Sequence, residues 1–162
     1  MEIRTATIDD LDTLYNIERE CFPQSEAAKR NEIEERLITY PNHFLVLKEN
    51  TKTVSFINGF TTDEKDLKDE MYENASMHNE SGNWQMIFGV NTLPEYRKHG
   101  YASKLIKQFI DNAKKENRLG VVLTCKQNLV SYYSKFGFGD EGISESKHGG
   151  EVWHQMRLTF KK

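Results

Sequence analysis

Between Trp84 and Cys125 the chain runs through an apolar strand pattern, a turn punctuated by Pro94 and Gly100, a long amphipathic helix pattern and a second apolar strand pattern. Strand, helix, strand in that order leaves few folds open, because the helix must bury its single apolar stripe against the sheet that its flanking strands build. The stripe is Ala102, Leu105, Ile106, Phe109, Ile110 and Ala113, at the 3.6-residue spacing of a packed face. The flanking runs are Trp84–Val90 and Gly120–Cys125, with Gly89 inside the first of them, where glycine marks a bulge or a close approach. A chain of 162 residues builds one such domain, spanning residues 1–162, and buries a core without needing disulfides or a structural metal.

The first half fits the same class. Ile3, Thr5 and Thr7 read as a short strand, and Asp9 or Asp10 is placed to cap a helix whose inner face carries Leu11, Leu14, Tyr15 and Glu18. Ser25 is placed to cap a second helix with Ile33 and Leu37 inward, which must stop at Tyr40-Pro41 because proline disfavours helix in the residue before it. Phe44–Leu47 and Val54–Ile57 read as a hairpin turned at Glu49–Lys52. In the second half, Leu129–Phe136 reads as a short helix closed by Gly137 in a left-handed cap, and Glu151–Phe160 as a last strand with two distinct faces. Asp63–Asn83 breaks the pattern: it is polar and mostly acidic, and reads either as a solvated excursion or as a mobile flap that draws in a cationic substrate.

Composition removes several function classes. The formal charge is −3, so no global basic field points to nucleic acid. No apolar run approaches the roughly 20 residues of a membrane helix. The opening Met1-Glu2-Ile3-Arg4-Thr5 has no apolar leader pattern, which sets a cytoplasmic location as the expectation. Cys21 and Cys125 are too few for a cysteine-rich zinc module, and His43, His78, His99, His148 and His154 show no metal-ligand spacing, so no metal is expected.

The segment Arg97-Lys98-His99-Gly100-Tyr101-Ala102 carries the most chemistry. A helix start leaves amide N–H groups unpaired and partly positive, and a phosphate answers both. Gly100 allows close approach, and Arg97, Lys98 and His99 add charge at the rim. By itself the segment also reads as an ordinary strand-to-helix turn with charges on its surface. It lacks the other glycines of a dinucleotide fingerprint and the Gly-Lys-Ser/Thr of a Walker loop.

The same turn resembles the acetyl-CoA signature R-x-x-G-x-A of the GNAT superfamily of N-acetyltransferases, with Pro94-Glu95-Tyr96 upstream and a helix ending in Tyr133-Ser134-Lys135-Phe136-Gly137-Phe138 downstream. The stretch from Glu20-Cys21-Phe22-Pro23 through Glu26-Ala27-Ala28 to Arg36, with Pro41 and Phe44, resembles the arylalkylamine N-acetyltransferase branch. The resemblance implies a mixed α/β fold: a central, mostly antiparallel sheet of about six to seven strands, splayed between its two central strands, with about four helices on its faces. It implies that Phe88, Gly89 and Val90 offer backbone to the pantetheine arm of acetyl-CoA, and that Arg97 to Ala102 offer amides to its pyrophosphate. Tyr133 then protonates the leaving thiolate, which a phenol near pKa 10 can do at neutral pH; by spacing alone it also reads as a packing residue. Phe22, Pro23, Glu26 and Met86 are expected to wall the acceptor pocket.

Two departures stand out. The branch places two histidines on the strand before the signature, where Met86 and Phe88 stand here, so the base is unassigned and Glu18 and Glu26 are its candidates. Lys126 stands seven residues before Tyr133, where many relatives carry asparagine. The expected activity is acetyl transfer to the amine of a small molecule, an arylalkylamine or polyamine. A non-catalytic acyl-CoA-binding regulatory module and a protein or peptide N-acetyltransferase are the alternatives, and a homodimer is left open.

Overall fold

The computed structural model describes residues 1–161. Among them the chain forms β1 (Glu2–Thr5), α1 (Leu11–Cys21), α2 (Arg30–Thr39), β2 (Phe44–Glu49), β3 (Lys52–Asn58), β4 (Thr61–Thr62), α3 (Glu70–Glu73), β5 (Trp84–Ile87), β6 (Gly89–Thr92), α4 (Tyr101–Lys115), β7 (Gly120–Cys125), α5 (Val130–Ser134), β8 (Gly139–Ile143) and β9 (His154–Thr159). Short 3₁₀ turns join several of them. The strands make two sheets in the orders β1-β2-β3-β6 and β4-β5-β7-β9-β8. Only β5 and β7 pair in parallel; every other pair is antiparallel. This is the mixed α/β, mostly antiparallel fold that the sequence pointed to. The strand total exceeds the expected six to seven because the run Trp84–Val90 is broken at Phe88, because a two-residue strand, β4, stands just before the excursion, and because Gly139–Ile143 adds β8.

The break is what splays the sheet. β5 pairs with β7 from Trp84↔Gly120 to Ile87↔Leu123. Past Phe88 the chain stays with β3, in the register Asn58↔Gly89 to Ser55↔Thr92, and β7 continues beside β9 alone. Among the described residues no strand pairs with the edge of β6 that faces β7.

The α4 stripe packs as its spacing requires: Leu105, Ile106, Phe109, Ile110 and Ala113 are buried with Leu45, Leu47, Val54, Val121 and Leu123 on one side of the sheet. Leu11, Leu14, Ile33 and Leu37 pack on the other side with Phe44, Phe56 and Met86. The cap assignments move. Asp10 does not cap α1; its carboxylate accepts from the Thr7 amide at 2.8 Å and from both terminal nitrogens of Arg4, closing a 3₁₀ turn that precedes the helix. Ser25 caps nothing, because α2 begins at Arg30, where Glu32 reaches back to the Lys29 amide at 2.8 Å. Gly137 follows α5 at φ +100°, and the last strand is shorter than its alternation suggested.

The acidic excursion is neither a solvated loop nor a separate flap. Leu67, Met71 and Ala75 are buried in the core. Three buried guanidiniums fasten it. Arg157 donates to the Lys65 carbonyl and to Asp66, Arg36 to the Tyr72 carbonyl, and Arg118 to the Gly82 carbonyl and to Glu80. His43, His78 and Glu80 also gather in space, which no spacing in the sequence announced. The Thr61 amide donates to Nδ1 of His78, so the ring proton sits on Nε2 facing Glu80, and that nitrogen has no lone pair left for a metal.

If the excursion is part of the core, Met71→Ala should cost about 2–5 kcal/mol, the range for truncating a buried methionine. Chemical denaturation of the variant beside the parent measures it. A loss below about 0.5 kcal/mol, as at surface sites, would show that the excursion folds independently.

Candidate active site

The gap between β6 and β7 opens into a cavity of about 920 Å³. Its walls come from the end of α1 and the loop after it, α2, the excursion, the parted strands, the start of α4, α5 and the loop before β9. Of the residues singled out in the sequence, Phe22, Pro23, Glu26, Phe88, Gly89, Val90, Arg97, Ala102 and Tyr133 all face it, as does Glu18. Met86 does not: its side chain is fully buried on the face of the sheet that packs with Leu14, Ile33, Phe44 and Phe56, and it is corrected from pocket wall to core residue. The side chains of Lys98, His99 and Tyr101 lie outside the wall as well, and the Tyr101 hydroxyl donates to Glu49.

At one end lies the turn into α4. Gly100 caps the helix at φ +80°, and Lys98 holds φ +66° two residues earlier. The backbone amides from Lys98 to Ser103 donate to no acceptor among the described residues, whereas that of Lys104 already bonds the Gly100 carbonyl. A Cβ built on Gly100 meets nothing within 4 Å. The turn therefore presents a run of free N–H donors to open space, at the positive end of a 15-residue helix. A diphosphate fits that donor set. Arg97 does not reach into it here; its Nε donates to the Thr92 carbonyl at 3.0 Å, which also accepts from the Cys21 thiol.

Midway along the cavity, Tyr133 leaves α5 beside the end of β7. Its ring is packed at right angles to Tyr132 and Phe138. Its hydroxyl bonds no protein atom among the described residues, whereas that of Tyr132 is within 3.2 Å of Ser103 Oγ. Burial pushes the Tyr133 phenol well above its usual range, so it is protonated and free to donate. Cys125, next to it, is pushed up to about 11 by the same desolvation and packs its sulfur against Met156.

The far end is aromatic. Tyr72, from the excursion, stacks on His148 with centroids 4.8 Å apart and tilts against Phe88 at 5.2 Å. Trp153 adds a face beside His148. Arg36 lies over the Phe88 ring and bonds Asn58 Oδ1 at 3.1 Å. Tyr72, His148 and Trp153 are not site candidates in the sequence: Tyr72 sits in the excursion, His148 in the loop before β9 and Trp153 on one face of the run read as the last strand, and only the fold brings them together. Arg36 carried a signal, since it lies three residues after Ile33 on the inner face of α2. The two carboxylates differ. Glu18 is buried, accepts from the Ala28 amide at 3.0 Å, and is raised from its usual value by desolvation. Glu26 is also buried, but its Oε2 accepts from the Lys126 ammonium at 2.9 Å.

Comparison with known proteins agrees with this geometry. Residues 2–140 match the family model described as an acetyltransferase (GNAT) domain. Serotonin N-acetyltransferase of Mesocricetus auratus is 27% identical over 164 residues, covering 99% of this chain and 78% of that one. The loading GNATL domain of CurA from Lyngbya majuscula superposes with a TM-score of 0.85 at 18% identity, over 98% of this chain and 96% of that one. The PaiA N-acetyltransferase of Thermoplasma acidophilum, solved with coenzyme A, gives 0.73 at 19% identity, over 98% of each chain. Parted central strands, a free-amide turn opening a helix, a tyrosine between them and a match over residues 2–140 have one common source: the chain belongs to the GNAT acetyltransferase family.

Proposed function

We propose that this protein transfers acetyl from acetyl-CoA to the primary amine of a small molecule, by direct attack within a ternary complex. One observation carries the reading: a single cavity runs from Arg97 and Ala102, at the turn that bears the free amides, past the Tyr133 hydroxyl, to an aromatic and acidic end at Tyr72, Trp153 and Glu26. Acetyl-CoA supplies the activated acyl group. Its diphosphate takes the turn amides, at the positive end of α4. Its pantetheine lies along the unpaired edge of β6, at Phe88, Gly89 and Val90, and its thioester then comes near Tyr133.

The amine attacks as a neutral group, so a proton must leave it, and the thiolate gains from a proton as it departs. Tyr133 gives the second proton. Of the two carboxylates, Glu18 is better fitted to take the first through water. Burial moves its pKa toward neutrality, while Glu26 is held by Lys126. The 27% identity to a serotonin N-acetyltransferase and the aromatic lining support an arylalkylamine acceptor. Intact Tyr133 favours an enzyme over a binding module, and the enclosure of the acceptor end by Tyr72 and His148 favours a small amine over a peptide. Measuring thiol release from acetyl-CoA against a panel of arylalkylamines, polyamines and peptides tests the reading; no turnover with any amine would overturn it.

Two substitutions resolve the parts. Gly100→Val places a branched side chain where the diphosphate approaches and strains a left-handed residue by about 1–2 kcal/mol. Acetyl-CoA affinity by calorimetry should fall at least about tenfold, which is 1.4 kcal/mol, while the variant stays folded. Unchanged affinity would remove the turn from the site. Tyr133→Phe deletes a hydroxyl that bonds no protein atom among the described residues, so the unfolding midpoint should hold. Turnover should fall by about a hundredfold, the low end for a general acid, because a thiol also departs as its anion. Turnover equal to the parent's would leave Tyr133 as a packing residue.

A further inference from the structure

The Lys126 ammonium sits in surroundings built for a cation. Glu26 Oε2 accepts from it at 2.9 Å, and the Trp153 ring lies 5.7 Å from Nζ. The surroundings are fixed independently of the lysine. Trp153 Nε1 donates to the His148 carbonyl at 2.9 Å, and His148 Nε2 donates to the Glu26 carbonyl at 2.8 Å. Gly149, at φ +64°, lets this loop press on Glu26; a Cβ there would lie 2.6 Å from Glu26 Cγ. The Glu26 side chain is 5% exposed, and its second oxygen, Oε1, has no donor among the described residues. The Lys126 side chain is 39% exposed, hangs on a flexible stem and can swing to solvent. The receptor is rigid and its occupant is removable.

We infer that Glu26 and Trp153 form the subsite for the protonated amine of the acceptor, and that Lys126 is an internal occupant which the acceptor displaces. The inference rests on the transferase reading of this cavity and adds to it a substrate charge and a specificity residue. A carboxylate beside an aromatic face is the chemistry that holds a primary ammonium. Amines reach the protein as cations, and an incoming ammonium re-pairs the Glu26 carboxylate as Lys126 withdraws, so no buried charge is left alone. A neutral acceptor cannot make that exchange. Lys126 thereby sets how strongly a cation must bind before it enters.

The test needs no acetyl transfer. n-Butylammonium is titrated calorimetrically into the full chain, its Lys126→Met and Glu26→Gln variants and the double variant, with butan-1-ol as the uncharged control. Lys126→Met should bind n-butylammonium about two- to fivefold tighter than the parent, the scale of one ion pair to an exposed ammonium no longer to be broken. Its melting temperature should fall below the parent's and recover with added n-butylammonium but not with butan-1-ol. Glu26→Gln and the double variant should show no gain. Equal affinity in Lys126→Met and parent, a gain that survives Glu26→Gln, or a lowered melting temperature that n-butylammonium does not restore would each overturn the inference and leave the pair as a structural tie. Lys126→Gln carries the same comparison where the Met variant misfolds, and circular dichroism establishes folding of each. A failed titration leaves acetyl transfer and Tyr133 standing. Absence of thiol release with an intact titration rejects the transferase instead.

Discussion

The parting of β6 from β7 at Phe88 is the constraint on which the site depends. The Phe88 amide donates to the Asn58 carbonyl at 2.7 Å, and β6 continues in register with β3. β7 is held on its other side by β9 through Cys125↔His154. With each strand committed to an outer neighbour, the two central strands cannot close on each other, and the unpaired edge of β6 is left facing a cavity. An unpaired edge buried in protein is costly, whereas one that meets a ligand's amides is not. The same parting points the start of α4 at the gap, because that helix follows β6 after a short connection, and it gives Tyr133, just past the end of β7, a free wall to project from.

The acceptor end depends on a second device, the anchoring of Asp63–Asn83 by guanidinium groups. Arg36, Arg118 and Arg157 are all buried, and each meets backbone carbonyls or carboxylates of that segment. Burying three cations would be prohibitive without partners, and the partners are what the excursion supplies. Arg157 further lies over the Trp84 ring, 4.7 Å from its centroid. Asp69 completes the assembly by accepting from Ser146 Oγ and the Lys147 amide, which ties the excursion to the loop bearing His148. Tyr72 and His148, which stack across the pocket, thus come from a one-turn helix and a loop turn that hold each other.

Charge is arranged along the cavity to match the two substrates. Free amides, Arg97 and the helix dipole occupy the end where a diphosphate would lie. Glu18 and Glu26 stand toward the other end, one kept buried without a cationic hydrogen-bond partner, the other paired with Lys126. The departures noted in the sequence at positions 126, 86 and 88 thus have different consequences. Met86 has withdrawn into the core and Phe88 has become a wall, while Lys126 has acquired a charged partner that the sequence did not reveal.

Local rules carried much of this protein. Helix spacing alone determined that Leu105, Ile106, Phe109 and Ile110 face the sheet, proline ended α2 at Tyr40, and the apolar runs at Phe44–Leu47, Val54–Ile57 and Gly120–Cys125 became strands, because each depends on neighbours within a few residues along the chain. The turn at Arg97–Ala102 and Tyr133 stood out only through their resemblance to short family motifs; by spacing alone each also reads as ordinary structure. Tertiary structure decided what depends on distant partners. Asp10 was drawn to Arg4 instead of capping α1. Met86 went to the core because its face of β5 is covered by residues of α1 and α2. The acidic excursion packed because buried arginines far away in sequence needed its carbonyls. The Glu26–Lys126 pair joins residues a hundred positions apart. No periodicity encodes such a contact, since it exists only once the sheet has brought its two ends together.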